Sequence, residues 1–359
     1  MSNALSEISK AGVSVWLDDL SRARLSNGSL VKLIKEDSVV GVTTNPSIFN
    51  AAIGNSDLYA SDIRSAVDLT VDEIITELTC ADVSAACDVF MQVYEKSKHL
   101  DGRISIEVDP RFARDTKSTI KQGLQLWQKI NKPNLMIKVP ATAEGLPAIT
   151  ELIANGVSVN VTLIFSVKRY RQVMQAYADG LTAALTRGID LSTIYSVASF
   201  FISRIDTEVD KALPADSDLR GATAIANAIM AYQAFDEFCK TDEWNSLESK
   251  GANPQRPLWA STGVKDPAYD PTRYVMQLVA NHTVNTMPEN TLKAVRESGV
   301  FAGDTITGNY QSAKATLGKL ALLGVDLDKI TEYLEIDGVT KFETAWMELI
   351  ETVRSVSGK

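Results

Sequence analysis

Cysteine and histidine are scarce in this chain. Its 359 residues include three cysteines, Cys80, Cys87 and Cys239, and two histidines, His99 and His282. The number of cysteines is odd and no Cys-x-x-Cys pair occurs, so neither a disulfide framework nor a zinc site is expected. Neither histidine belongs to a metal-binding motif, and Cys80 and Cys87 lie in a helical stretch typical of packing residues. Chemistry that depends on these residue types therefore has very few candidates.

Positive charge is also in short supply. Lys and Arg total 36 against 45 Asp and Glu, which gives a net charge of −9, and no basic patch stands out. Nucleic acids and anionic membranes bind to local positive charge, so neither is expected as a partner, whereas a small anionic substrate needs only one or two well-placed cations. Neither a P-loop nor a GxGxxG motif occurs, so nucleotide binding has no support.

Long apolar runs are missing as well. No stretch approaches the roughly 18 residues of a membrane span, and the N-terminus lacks the basic segment and apolar run of a signal peptide. We therefore expect a cytoplasmic protein. Hydrophobic residues make up 45% of the chain and charged residues 23%, a composition typical of a globular protein. The length fits two domains or one α/β barrel with extensions.

Short runs rich in Val and Ile alternate with helical patterns along most of the sequence. Most of these runs are apolar on both faces, which is typical of strands in a parallel sheet covered by helices. The predicted strands are 13–18, 39–44, 104–109, 135–140, 157–165, 194–201, 257–262 and 283–287. Eight such strands predict an α/β fold of the (β/α)8 TIM barrel type. An open, doubly wound sheet is the alternative, because counting strands does not establish closure.

The helices between these strands have recognisable ends. Ser166 is the predicted N-cap of one helix that stops at Gly188, and another helix ends at Gly156. A third helix is expected over 111–132. The polar stretch 241–257 is predicted to be a loop.

A stripe of apolar residues follows the last strand and predicts a terminal helix that lies back on the body of the protein. Its members are Phe342, Trp346, Leu349, Ile350 and Val353. We expect one barrel domain over residues 1–359, with 297–359 as a C-terminal helical extension.

Lys138 is the most informative residue of the sequence. It lies inside an apolar strand run, NLMIKVPAT, close to the carboxyl end of that strand at Pro140. Lysine is rarely buried because desolvating an ammonium is costly, and the carboxyl ends of parallel barrel strands form the active site. Since burial favours the uncharged amine, Lys138 is a candidate nucleophile for a Schiff base with a carbonyl substrate. The alternative, a lysine that reaches solvent or pairs with a carboxylate, is the commoner case for a single residue.

Polar side chains occur at the same end of the neighbouring predicted strands. Each has an ordinary explanation as a helix cap or turn residue, but together they are expected to converge on one mouth. The set comprises Asp18, Asp19, Thr43, Thr44, Asn45, Glu107, Asp109, Asn160, Thr162, Ser199, Arg204, Ser261 and Thr262. These residues supply carboxylates for proton transfer, and hydroxyl and amide groups for binding a polyol.

Five sequence blocks follow one another between residues 41 and 206, namely GVTTNPSIF, SIEVDPR, LMIKVPAT, VNVTLIFS and ASFFISRID. WLDDLSR precedes them and LWASTGVKDP follows, so the pattern covers most of the chain. In this order, and with a lysine in LMIKVPAT, the blocks resemble the transaldolase family, in the variants of its longer-chain bacterial branch.

This resemblance implies a (β/α)8 enzyme that transfers a dihydroxyacetone unit through a lysine Schiff base. The implied reaction belongs to the pentose phosphate pathway. It moves the unit from sedoheptulose 7-phosphate to glyceraldehyde 3-phosphate and gives erythrose 4-phosphate and fructose 6-phosphate. The implied partners are sugar-phosphate substrates, with no metal or organic cofactor, and the expected assembly is a monomer or homodimer.

The resemblance also implies roles for individual residues. Lys138 is the implied Schiff-base lysine, and Asp18 is the acid/base that takes the proton of the C4 hydroxyl. Glu107 and Thr162 are expected to hold the catalytic water. The residues expected to bind substrate are Asn45, Thr44, Asn160, Ser199, Arg204, Ser261 and Lys265.

One position departs from the family pattern. Many members carry a phosphate-binding arginine after strand seven, whereas this chain reads Ala260-Ser261-Thr262-Gly263, with glycine in the arginine's place. Lys265 is the expected substitute, although lysine is a point charge and not a bidentate fork. Two other functions stay open at this level: another Schiff-base aldolase that releases free dihydroxyacetone, and a barrel that binds sugar phosphates without catalysis.

Overall fold

A computed structural model describes residues 3–55 and 57–359, and these residues contain a closed barrel of parallel strands. The strands are β1 (Val13–Leu17), β2 (Val39–Val42), β3 (Arg103–Glu107), β4 (Leu135–Pro140), β5 (Val159–Ile164), β6 (Ser196–Phe201), β7 (Arg256–Ala260) and β8 (Thr283–Met287). Each overlaps its predicted segment. Because β8 pairs with β1, the barrel prediction is confirmed and the open sheet is excluded.

The pairing register sets which strand residues lie side by side. Glu107 pairs with Lys138, and Lys138 pairs with Asn160. Pro140 pairs with Thr162 in the next layer towards the carboxyl end. All residues of β3, β4 and β5 are buried. The register therefore places a carboxylate, an amine and an amide next to one another inside a protected barrel.

Helices surround the barrel, and one of them crosses its carboxyl end. They are α1 (Ala4–Lys10), α2 (Arg22–Ser26), α3 (Ser29–Glu36), α4 (Pro46–Gly54), α5 (Ala60–Ser65), α6 (Val71–Lys96), α7 (Thr116–Ile130), α8 (Gly145–Ala154), α9 (Val167–Thr186), α10 (Ser203–Ala212), α11 (Thr223–Phe238), α12 (Asp242–Glu248), α13 (Arg273–Met276), α14 (Glu289–Ser298), α15 (Tyr310–Leu322) and α16 (Leu327–Ser357). Short 3₁₀ turns lie at Asp57–Tyr59, Pro110–Phe112 and Leu191–Thr193. Within the described ranges, no helix is both long and apolar enough to cross a membrane.

Several predicted helix ends are confirmed. The Ser166 hydroxyl accepts a hydrogen bond from the Arg169 backbone amide at 3.0 Å, and α9 ends two residues before Gly188. Gly156 follows the end of α8 with a left-handed φ of +81°, a conformation that favours glycine. The helix expected over 111–132 is shorter, because Asp115 accepts amide hydrogen bonds at its start and α7 begins at Thr116.

The predicted loop over 241–257 is wrong in its first half, where α12 lies. Thr241 caps this helix by accepting a hydrogen bond from the Trp244 amide at 3.2 Å. Trp244 and Leu247 are buried, and the Trp244 ring stacks on Tyr177 with 6.4 Å between the centroids. Two apolar residues three positions apart hold this short helix against α9, and the polar residues around them hide the pattern in the sequence.

The predicted terminal helix is confirmed as α16, which packs against α4, α5, α6 and α10. Gly338 permits a close approach to the barrel, since a Cβ atom there would lie 3.0 Å from Cδ2 of Leu163. An ion pair of 3.1 Å between Arg169 and Glu335 holds the same part of the helix. One turn further on, these contacts place Phe342 over the mouth of the barrel.

Candidate active site

A cavity of about 180 Å³ lies at the carboxyl end of the strands. Nine residues singled out in the sequence line it: Asp18, Thr43, Asn45, Lys138, Thr162, Ser199, Arg204, Ser261 and Lys265. The other lining residues are Phe201, Ala260, Gly263, Thr286, Pro288 and Phe342. Glu107, Thr44 and Asn160 do not line this cavity, and they contact the residues that do.

Lys138 occupies the centre of this site. Its residue is only 4% exposed, and its Nζ donates to the Thr44 backbone carbonyl at 3.0 Å and to Glu107 Oε2 at 3.3 Å. The Phe342 ring covers the amine, with 5.4 Å between Nζ and the ring centroid. The contact with Glu107 is long for a charge-assisted hydrogen bond, and the cavity opens beside the amine. The lysine is therefore both buried and reachable by a ligand in the cavity.

Glu107 and Thr162 flank Lys138 with polar atoms that have no partner. Glu107 Oε1 and Thr162 Oγ1 are both buried, and neither makes a hydrogen bond within the part of the chain that the structure describes. Buried polar atoms of this kind are normally satisfied by a water or a ligand. Burial raises the pKa of Glu107 to about 7, and the nearby Lys138 ammonium opposes that rise. Both protonation states of this carboxyl are thus accessible near neutral pH.

Asp18 follows β1 and lines the same cavity as Lys138. Burial raises the pKa of Asp18, while the Lys138 charge and a hydrogen bond from Thr43 work in the opposite direction. The Thr43 hydroxyl donates to Asp18 Oδ1 at 2.7 Å. A carboxylate next to a cavity with its pKa shifted upwards is suited to exchange a proton with a bound molecule.

The hydroxyl and amide groups of the site form a connected layer. Ser199 donates to Asn160 Oδ1 at 2.7 Å, and Asn160 Nδ2 donates to the Ser105 hydroxyl at 3.0 Å. Asn45 caps α4 through its Oδ1, which leaves its amide N–H groups for the cavity. The Thr44 hydroxyl donates to the Ser105 carbonyl at 2.8 Å, so Thr44 faces the lysine with its backbone carbonyl and not with its side chain.

Positive charge is concentrated on the β6 and β7 side of the cavity. The Arg204 guanidinium lies 5.5 Å from the Phe201 ring centroid, and its buried Nη1 makes no hydrogen bond to any described residue. Burial lowers the pKa of Arg204 and the Asp337 carboxylate opposes that shift. Lys265 lies on the same wall and is exposed. These two cations make this wall of the cavity suitable for binding an anion. The buried Nη1 donor of Arg204, which has no hydrogen-bond partner among the described residues, is the stronger of the two indications.

A second cleft of about 540 Å³ adjoins the cavity at Asp18, and Asp19 and Glu289 line it. Both carboxylates bind Arg24, at 2.5 and 2.6 Å, so that cation is already paired. Arg24 is therefore not a candidate for binding an anionic substrate.

The scarce cysteines and histidines lie outside the cavity. Cys80 and Cys87 are buried in the hydrophobic core, so the interpretation as packing residues is confirmed, and this burial raises the pKa of both thiols to about 12. His99 stacks on Tyr94 with 4.4 Å between the ring centroids. Over residues 3–55 and 57–359, no group of three or more His, Cys, Asp or Glu is placed to hold a metal ion.

Among the lining residues that sequence reasoning missed, Thr286 and Phe342 contact the proposed catalytic machinery. Thr286 lies near the carboxyl end of β8, where the same rule that singled out the other strand-end residues would have found it. Phe342 belonged to a recognised apolar stripe, but nothing in that stripe indicates which member covers the mouth.

Comparison with known proteins agrees with this geometry. The family model described as "Transaldolase/Fructose-6-phosphate aldolase" matches residues 15–353. A transaldolase of Acidothermus cellulolyticus is 52% identical over 98% of this chain and 96% of its own. Transaldolase 1 of Streptomyces avermitilis is 53% identical, over 99% and 96%. The Thermobifida fusca transaldolase is 51% identical, over 98% of each chain. The chain therefore belongs to the transaldolase/fructose-6-phosphate aldolase family.

Proposed function

We propose that this protein is a transaldolase that transfers a dihydroxyacetone unit between sugar phosphates through a Schiff base on Lys138. The observation that carries the proposal is the buried amine of Lys138, which faces a cavity lined by hydroxyl, amide and carboxylate groups. Relatives that are 52% and 53% identical to this chain over nearly its whole length are named transaldolase. Sedoheptulose 7-phosphate is the proposed donor and glyceraldehyde 3-phosphate the proposed acceptor.

The first chemical step is imine formation. The free amine of Lys138 attacks the C2 carbonyl of the ketose, the carbinolamine loses one water, and a protonated imine remains. Glu107 and Thr162 are proposed to hold that water, because each has a buried oxygen without a partner among the described residues, Glu107 contacts the amine at 3.3 Å, and Thr162 lines the same cavity as Lys138. A carboxyl whose pKa is about 7 serves as acid when water leaves and as base when water returns.

The second step is cleavage of the C3–C4 bond. The protonated imine draws the electron pair of that bond towards C2, and Asp18 accepts the proton of the C4 hydroxyl. The aldose phosphate leaves and the enamine stays bound to Lys138. Phe342 covers the amine and keeps bulk water from the enamine until an acceptor aldehyde arrives. Attack on that aldehyde and hydrolysis of the imine complete the transfer.

Asn45 and Ser199 line the cavity and are proposed to bind the hydroxyls of the dihydroxyacetone part, together with Asn160, which accepts a hydrogen bond from Ser199. Thr44 holds the lysine through its backbone carbonyl.

The phosphate is proposed to bind at Arg204, Ser261 and Lys265. Arg204 and Lys265 are the cations of the cavity wall that are left for an anion once Lys138 is excluded, among the described residues. The Ser261 hydroxyl lies 3.0 Å from that of Ser203 on the same wall.

All of these groups come from one chain, so we propose that residues 1–359 act as one domain, with 297–359 supplying its cover, in a monomer or homodimer. The charged substrates do not cross a bilayer unaided, which favours the cytoplasm, where sugar phosphates are made, as the setting.

Product analysis tests the proposal. Fructose 6-phosphate and erythrose 4-phosphate together should give sedoheptulose 7-phosphate and glyceraldehyde 3-phosphate, with little free dihydroxyacetone. Substantial free dihydroxyacetone without an acceptor would make the protein an aldolase of the same family. If the protein binds either sugar phosphate but converts neither, it is a sugar-phosphate-binding protein and not an enzyme.

A further inference from the structure

Two threonines from different strands form a hydroxyl pair behind Asp18. Thr43 follows β2 and Thr286 belongs to β8, and their Oγ1 atoms are 2.7 Å apart. Thr43 Oγ1 also lies 2.7 Å from Asp18 Oδ1. The two threonines are 3% and 2% exposed, and both line the cavity. The three side chains therefore form a short hydrogen-bonded row at the junction of β1, β2 and β8.

The direction of these hydrogen bonds follows from counting protons. A threonine hydroxyl has one hydrogen to donate, and an ionised carboxylate only accepts. Thr43 therefore donates to Asp18 when that carboxylate is ionised, and it has no hydrogen left for Thr286. Thr286 must donate to Thr43, so the row runs from Thr286 through Thr43 to Asp18.

This row holds one oxygen of Asp18 and leaves the other for a ligand. Asp18 Oδ1 accepts from Thr43, whereas Oδ2 accepts no hydrogen bond from any described residue. We propose that Thr286 and Thr43 are positioning residues that hold Asp18 with Oδ2 towards the C4 hydroxyl of the substrate. The inference rests on the proposed function, since it assigns the supports of the base in that reaction.

The row also suits both protonation states of Asp18. If the carboxyl carries a proton on Oδ1, that proton is donated to Thr43, and Thr43 then donates to Thr286. When the Thr43 and Thr286 hydroxyls rotate to reverse their donor and acceptor roles, both hydrogen bonds of the row are kept and no strand has to move. The charged groups that act on Asp18 among the described residues are Lys138, its neighbour Asp19, and Glu107.

The Thr43 hydrogen bond lowers the pKa of Asp18. Its loss should therefore raise that pKa and move the acid limb of the cleavage rate to higher pH.

The experiment compares Thr43→Val, Thr286→Val and the double variant with the unmodified protein. Thr283→Val is the matched control, because Thr283 is an equally buried threonine of β8 that donates to the Ala280 carbonyl at the other end of the strand. Two rates are measured between pH 5 and pH 9 with fructose 6-phosphate as substrate. The first is the rate of imine formation, followed by borohydride trapping, and the second is the rate at which glyceraldehyde 3-phosphate is released in the first turnover.

Thr43→Val should move the acid limb of release upwards by about one pH unit and leave trapping within about twofold. Thr286→Val should slow release about two- to tenfold, with a smaller shift in the same direction. In the double variant, the second substitution should add less than about twofold, because Thr286 acts only through Thr43. Thr286→Ser should restore the rate, and Thr283→Val should leave the pH profile unmoved.

Fully additive effects of the two valine substitutions would overturn the proposal, as would a Thr286→Val protein whose pH limb and release rate are unchanged. A loss of trapping equal to the loss of release would mean that the threonines only maintain the site. Imine trapping in the unmodified protein distinguishes this failure from failure of the proposed function, because the function itself fails if no imine forms.

Discussion

Substitution of Arg204 by methionine tests the anion-binding end of the site. Methionine keeps an apolar stem of similar length against Phe201, whose ring lies 5.5 Å from the guanidinium, and it removes the charge and the donors. The packing contribution of the arginine is thereby largely preserved. The variant should therefore lose recognition of phosphate and little else.

The expected magnitude follows from the surroundings of Arg204. Its Nη1 is buried and without a partner, so a phosphate oxygen bound there would gain a charge-assisted hydrogen bond with little competition from water. Such a bond is worth about 1.5–3 kcal/mol, which is roughly a 10- to 150-fold change in an equilibrium or rate ratio. The Asp337 carboxylate, which acts on the pKa of Arg204, would be left without that counter-charge and would repel phosphate further.

The assay measures kcat/KM for two acceptors, glyceraldehyde 3-phosphate and unphosphorylated glyceraldehyde, with one donor. The Arg204→Met variant should lose roughly 10- to 150-fold with the phosphorylated acceptor and less than about threefold with glyceraldehyde. Arg204→Lys should recover part of the difference, since a point charge replaces the fork. Equal losses with both acceptors would refute the phosphate role, and so would a preference for phosphate that the variant retains in full.

Three further predictions follow from the same geometry. Lys265→Ala should lower kcat/KM for the phosphorylated acceptor by only about 1.5- to 5-fold, because Lys265 is exposed. A larger loss than in Arg204→Met would show that Lys265, and not Arg204, is the main phosphate-binding residue. Gly263→Arg should raise kcat/KM for the phosphorylated acceptor, since a Cβ at this position meets Thr291 and Pro288 at ordinary distances of 3.5 and 3.7 Å. An unchanged or lower kcat/KM would show that the added guanidinium does not reach the phosphate. Glu107 must be protonated to help water leave and ionised to help it return, so imine formation should fall above about pH 7 and imine hydrolysis below it. Both limbs should vanish in Glu107→Gln, and their persistence would remove Glu107 from the water step.

The identity of the central residue could be predicted from sequence because a buried strand obeys a simple rule. Lys138 interrupts an apolar run, and such a position is both costly and oriented by the strand. The barrel topology then brings the ends of distant strands together, so Asp18, Thr162 and Ser199 could be assigned to one mouth without coordinates. The structure places all four on one cavity.

Other parts of the site depend on contacts that no local pattern contains. The Thr286 hydroxyl meets Thr43 only because β8 closes against β1, a pairing between the two ends of the barrel sequence. Phe342 covers the lysine because Gly338 lets α16 approach the barrel closely. These two contacts depend on the tertiary structure, so the polar or apolar character of a single residue does not predict them.

The side chain of Thr44 shows a further limit. The sequence places Thr44 next to Asn45 at the end of a strand, and both were natural candidates for binding substrate. The structure turns the Thr44 hydroxyl onto the Ser105 carbonyl and offers the Thr44 carbonyl to Lys138. Whether a strand-end residue faces the cavity or the adjacent strand depends on local backbone geometry, which the residue type alone does not determine.

The most direct test of the central claim is borohydride reduction in the presence of fructose 6-phosphate, followed by peptide mapping. The reduced adduct should lie on Lys138. It should be missing from a folded Lys138→Ala protein and persist in Lys132→Ala, whose lysine instead pairs with Asp88 on the surface at 2.5 Å. An adduct on another lysine, or transfer of dihydroxyacetone without any trapped adduct, would contradict the claim that this buried amine carries the substrate.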